Sequence, residues 1–242
     1  MEAVSFIINA FLYIFSGNDS LIKNIGFFSL SGLVAFVLFN FYQYYSNHAS
    51  NISTTVIFFA VVLAIIISAY TWGYCLQFMH NVHNNKELPY IDGKPIVAFF
   101  RAVPLNFFWA FIFGISGVVF SLVPFINVLF VSVFLPFFST FLYPFINVIY
   151  SKDFDATGLF NVMVPFQFIS AFVPLFVVNI CTYILIFLAA GSLIIIGLIF
   201  HNNTEFFTYI ALTLLVYYSF IIQLIVQYCF VQIYKERFEE EY

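Results

Sequence analysis

Charge is what this chain has least of. Lys and Arg number 7 and Asp and Glu 11 among 242 residues, 7% in all, where a soluble domain carries about a quarter. So few basic residues leave no electrostatic footprint for a nucleic acid, and the net charge of -4, set mainly by the tail Glu236, Glu239, Glu240 and Glu241, has the wrong sign for one. Cysteine occurs only 3 times: Cys75, Cys181 and Cys229 all fall within or at the ends of apolar stretches, which excludes a disulfide framework. They read as small hydrophobes, with acylation of Cys75 or Cys229 at a membrane boundary the alternative. Carboxylates are missing from the apolar stretches altogether, and so is any His-Glu-x-x-His pattern. Intramembrane hydrolysis and ion-coupled transport depend on such groups, so the expectation is a protein that is not an enzyme and takes no cofactor.

What is present is apolar surface: 64% hydrophobic residues, Phe 38 times, Tyr 16 times, and a mean hydropathy of +1.05. No water-soluble fold hides that much. Residues 24–85, 102–151, 156–204 and 206–234 contain no Asp, Glu, Lys or Arg, and a helix needs about 20 apolar residues to cross a bilayer. The sequence therefore predicts an all-α polytopic transmembrane bundle, one integral membrane domain over 1–242, with six spans near 22–44, 53–77, 102–123, 128–150, 177–200 and 207–233. The polar run Tyr44 to Asn51 divides the first gap, and Pro124 to Asn127 the second.

The gap 156–204 has room for one span or two. With one span, preceded by an interfacial helix over 157–174, all seven Lys and Arg fall on one face. With two, Lys235 and Arg237 change sides. The positive-inside rule prefers one span, which places the protein in the cell membrane with both termini cytoplasmic. Residues 3–15 are apolar but too short to span. They follow Glu2 rather than a basic start, and so read as an uncleaved interfacial helix. Asn51 and Asn202 head glycosylation-type triplets on the predicted outer face.

A weak internal repeat runs through this layout. Asn24-Ile25 and Asn179-Ile180 stand 155 positions apart, and Tyr74-Cys75 and Tyr228-Cys229 stand 154 apart. Each copy reads interfacial helix, span, span, which makes the repeats parallel.

The most distinctive stretch runs from Gly73 to Gly93, Gly-Tyr-Cys-Leu-Gln-Phe-Met-His-Asn-Val-His-Asn-Asn-Lys-Glu-Leu-Pro-Tyr-Ile-Asp-Gly. Pro89 and Tyr90 suit a loop pressed on the headgroups, Asp92-Gly93 a turn feeding the next helix, and Arg101 a cation that reaches lipid phosphate or pairs with Asp92. The stretch resembles a family of prokaryotic membrane proteins known only as domain of unknown function four-zero-one-three. Gly73, Tyr74, Asn81, Leu88, Pro89, Tyr90 and Asp92 match its pattern, while His80 stands where the family often has Arg and Tyr90 where it often has Trp. The match covers the first half of the chain and extends to the second only in hydropathy. The resemblance implies packed helices and brings no activity with it.

Two further groups are candidates. His80, His83 and Glu87, if helical, share one face at metal-ligand spacing, although ordinary interfacial polar residues give the same pattern. Asn40, Asn106, Gln223 and Gln227 are uncharged polar residues within spans, suited to interhelical hydrogen bonds or to a polar path. Small residues at four-residue spacing, Ala64/Ser68, Ala69/Gly73 and Ala110/Gly114, predict packing between spans two and three. The functional expectation is a non-catalytic multi-pass subunit, structural or partner-binding, in contact with membrane lipids and with other membrane proteins or itself. The alternative is a channel or facilitator for a lipid or small neutral solute.

Overall fold

A computed structural model describes residues 2–17, 19–47, 54–121, 128, 130–155, 157, 163–199 and 204–239. All regular structure among them is helical. The elements are α1 (Glu2–Phe15), α2 (Ser20–Asn47), α3 (Thr54–His83), α4 (Lys94–Ser121), α5 (Phe130–Asp153), α6 (Val164–Ile199) and α7 (Thr204–Phe238). Five of them, α2, α3, α5, α6 and α7, contain stretches long and apolar enough to cross a membrane. The protein is thus an all-α, multi-pass membrane protein. The predicted turn at Pro124–Asn127, the loops 48–53 and 200–203 with Asn51 and Asn202, and residues 158–162 of the predicted helix 157–174 lie outside the described residues.

Proline shapes α5 and α6 in opposite ways. In α5 two five-residue stretches, Phe130–Phe134 and Phe138–Leu142, are wound as π-helix. A helical proline clashes with the carbonyl four residues before it. For Pro136 and Pro144 those carbonyls belong to Ser132 and Thr140, the centre of each widened stretch, so the wider turn relieves the clash. In α6, Pro174 is absorbed without a break: Val164–Ile199 is one helix of 36 residues, about 54 Å at 1.5 Å per residue. The separate interfacial helix expected over 157–174 is, from Val164 onward, the first part of this continuous helix. The expected division rested on keeping all seven Lys and Arg on one face, which a single long helix crossing once satisfies as well.

The residues gather into two compact units, Met1–Thr71 with Val178–Val226 and Trp72–Val177 with Gln227–Tyr242. In the first unit α1 is tied to α2 by Asn24, whose Nδ2 donates to Ile14 O at 2.9 Å and whose Oδ1 accepts from Tyr217 of α7 at 3.3 Å. Tyr209 donates to Gly32 O, 3.1 Å, and Phe27 meets Phe220 edge-on at 5.2 Å. These contacts seat α2 on α7. Ala10 and Ile14 are buried, while Val4, Ile8, Phe11, Leu12 and Phe15 of α1 are exposed.

The second unit is a core of helix ends. Gly73 to Cys75, Leu76, Phe78 and Met79 are buried on every side of α3, the mark of a helix enclosed by others. Around it lie Phe145, Val148 and Tyr150 of α5, Ala171 and Leu175 of α6, and Cys229, Phe230 and Ile233 of α7. Phenylalanines four residues apart interlock α5 with α6: Phe137 with Phe168 at 5.9 Å, Phe141 with Phe172 at 5.4 Å, and Phe145 with Phe168 at 5.5 Å. Such pairs add about 0.5–1.5 kcal/mol each beyond burial.

Candidate functional site

The ends of α3, α5 and α7 and the loop 84–93 carry the polar groups of the second unit. α3 stops in a Schellman motif: Lys86 N donates to Asn81 O at 2.8 Å and Asn85 N to Val82 O at 3.3 Å, with Asn85 left-handed at φ 52°. Glu87 is therefore not on a helical continuation of α3, and the face expected to join His80, His83 and Glu87 is not formed. Each histidine instead serves α5. His80 Nδ1 lies 3.0 Å from both Ser151 O and Lys152 O. Carbonyls only accept, so Nδ1 carries the proton and satisfies carbonyls at the α5 C-terminus. By the same logic His83 Nε2 donates to Val148 O at 3.0 Å, which turns its Nδ1 toward Glu239 Oε1, 3.7 Å away. Among the described residues no group of three or more His, Cys, Asp or Glu is placed to hold a metal ion.

The same Glu239 Oε1 forms an ion pair with Lys152 Nζ at 2.9 Å. Two neighbours in the last turn of α7 reach other elements: Lys235 Nζ donates to Asn85 Oδ1 at 2.8 Å, and Arg237 Nη1 to Ser170 O at 2.6 Å. Ser170 is four residues before Pro174, so its carbonyl is the one that the proline leaves without a helical donor. Arg237 supplies it. The arrangement binds one helix end to three neighbours.

The loop 84–93 is held from α3. Gln77 Nε2 donates to Asn81 Oδ1 at 3.0 Å, Asn81 Nδ2 donates to Glu87 O at 2.6 Å, and the buried Tyr74 hydroxyl donates to Pro89 O at 2.8 Å. Leu88 and Pro89 are buried and Tyr90 is 51% exposed. Asp92 Oδ1 accepts from Lys94 N at 2.9 Å, capping the start of α4, and its Oδ2 lies 3.8 Å from Lys94 Nζ. Gly73 lies against the second residue of α4: a Cβ there would stand 1.9 Å from Pro95 O. Of the predicted small-residue stripe only this end is a close approach. Ala64 and Ser68 are exposed, and Gly114 has nothing within 4 Å of a Cβ position.

The uncharged polar residues do different things. Asn40 is exposed and donates to Phe36 O of its own helix at 2.7 Å. The Asn106 side chain lies outside the described residues. Gln223, in the first unit, lines a groove of about 360 Å³ between α6 and α7, with Ala189, Ala190, Leu193, Leu215 and Tyr218 among its walls. Gln227, in the second unit, is within hydrogen-bond reach of the Cys75 thiol. Cys75 and Cys229 are fully buried, so they fill space and are closed to acylation in this fold. No motif marks Glu239, Lys152 or Phe154 as contact residues. Only the pairing of Pro174 with a cation in another apolar run could have pointed to Arg237. No protein-family model, curated protein or solved structure matches the chain.

Proposed function

We propose that this protein is a non-catalytic membrane subunit, a helical scaffold that binds other membrane proteins or copies of itself, set in the cell membrane with both termini cytoplasmic. One observation carries the reading: the ionisable side chains His80, His83, Lys152, Lys235, Arg237 and Glu239 are spent on tying helix ends to one another. Chemistry on a substrate needs such groups aimed into an accessible site. An unbroken α6 supports a single crossing of 156–204, and with the 28-residue α4 as a sixth crossing beside the five most apolar helices both termini fall on one face. The contacts of Gly73, Tyr74, Asn81 and Asp92 give the stretch that resembles domain of unknown function four-zero-one-three a latch role between α3 and α4.

Purification of the tagged protein in a gentle detergent, followed by mass spectrometry, tests the reading. A stoichiometric protein partner, or a defined homo-oligomer, is the expected result. A lone monomer retaining one small solute would overturn it in favour of a facilitator. The groove beside Gln223 favours that second reading, and Gln223→Leu would then abolish solute retention.

A further inference from the structure

Arg101 is an exposed cation on α4, seven residues after Lys94, about 10 Å along the axis. Its exposed neighbours on the helix are apolar: Val97 and Phe100, then Phe107 and Phe111. After Arg101 the helix has no further charge. Among the described residues no carboxylate pairs with it; its guanidinium carbon lies 5.8 Å from the centroid of the Phe154 ring. Asp92 is engaged by Lys94, and Asp155 accepts from Thr157 N at 3.0 Å.

The ring under the guanidinium is held from two sides. Phe154 is the residue after α5, in the left-handed region at φ 55°. It stacks on His80 with centroids 4.8 Å apart and meets the Tyr150 ring at 6.0 Å. His80 is itself fixed by its two bonds to α5 carbonyls. A guanidinium resting on an aromatic ring keeps its five N–H donors available to an acceptor. An exposed cation among apolar side chains of a membrane protein is costly unless an anion answers it, and the anion that a membrane interface supplies is a headgroup phosphate.

The geometry points to a binding site for the phosphodiester of an anionic glycerophospholipid, formed by Arg101 on the His80–Phe154 platform. The guanidinium fork matches two phosphate oxygens at once, and the ring fixes the height of the charge. This site is independent of whether the protein is a scaffold or a facilitator.

Native mass spectrometry of the full-length protein with phosphatidylglycerol and phosphatidylcholine of matched acyl chains tests it. The wild type is expected to retain phosphatidylglycerol about fivefold better, Arg101→Gln to lose the preference, and Arg101→Lys to keep about half of it, because an ammonium lacks the fork. Phe154→Leu keeps the charge but removes the ring, and is expected to fall between wild type and Arg101→Gln. An unchanged preference in Arg101→Gln overturns the site. If that variant does not fold, unchanged preference in both Arg101→Lys and Phe154→Leu overturns it equally. Displacement of the lipid by millimolar inorganic phosphate would show a soluble-anion site, and the lipid assignment would fail.

Discussion

The two units solve the problem of apolar surface differently. In the first, Phe187 is 81% exposed and Leu21 and Leu198 are each 72% exposed, while Ile14, Leu224 and Ile225 are its largest fully buried side chains. In the second, Tyr74, Phe78, Phe145, Phe230, Leu76 and Met79 are fully enclosed, and polar side chains join the helix ends. Among helices in lipid, burying one apolar surface against another gains little, because the acyl chains are as apolar as leucine. Packing density and hydrogen bonds must then hold helices together. The second unit has both, alongside exposed apolar side chains such as Phe107 at 72%, whereas the first encloses few large side chains. Mutations should therefore hurt the second unit more, and the buried Cys75 and Cys229 thiols offer a readout, since a thiol-reactive dye reports their exposure on heating.

The largest contrast is between two glycines. At Gly73 an added Cβ meets the carbonyl oxygen of Pro95 at 1.9 Å and its carbon at 2.7 Å, and backbone cannot turn aside. At Gly197, in the first unit, it meets only the edge of the Phe207 ring at 3.0 Å, which can shift. Gly73→Ala should cost about 3 kcal/mol or more and release both thiols at a much lower temperature, whereas Gly197→Ala should stay within about 1 kcal/mol. Similar losses at the two sites would sink the claim that the second unit is the more tightly packed one.

His80 comes next. His80→Leu removes the donor to Ser151 O and Lys152 O, leaving carbonyls at the α5 end unsatisfied, at a cost of about 1–3 kcal/mol. His80→Phe restores a ring against Phe154 but no donor, so comparing the two variants by thiol exposure separates stacking from hydrogen bonding. Recovery of full stability in His80→Phe would show that the hydrogen bonds contribute nothing. A smaller effect is expected at Tyr74, where Phe keeps the buried ring and loses only the 2.8 Å bond to Pro89 O. Tyr74→Phe should cost about 1 kcal/mol and speed proteolysis within residues 84–93, leaving cleavage elsewhere unaltered.

The helices were legible from the gaps in charge, because lipid forbids unpaired backbone and leaves helix as the only local solution. Residue-level chemistry was less so. His80 and His83 looked like ligands because the end of α3 is set by a left-handed asparagine, Asn85, and not by the glycine that marks most such ends. Glu239 stood in an acidic tail with nothing to distinguish it, and its contacts with Lys152 and His83 depend on where α7 ends relative to α5. Phe154 was one of 38 phenylalanines; a left-handed cap has no signature when the residue is aromatic.

Arg237 shows how close a tertiary contact comes to being readable, and it yields the finest test of what stabilises the second unit. If its bond to Ser170 O compensates the gap that Pro174 leaves, the two residues must be coupled. Arg237→Gln alone should cost about 1 kcal/mol, since the carbonyl loses its donor. In a Pro174→Ala background residue 174 regains an N–H, the carbonyl of Ser170 recovers a helical partner, and the same change at Arg237 should cost only a few tenths of a kcal/mol. A double-mutant cycle read by thermal exposure of the thiols measures the difference. Equal costs in the two backgrounds would mean that Arg237 acts through its charge at the membrane surface and not through the orphaned carbonyl, and the helix-end clasp would then rest on Lys152, Glu239 and the two histidines.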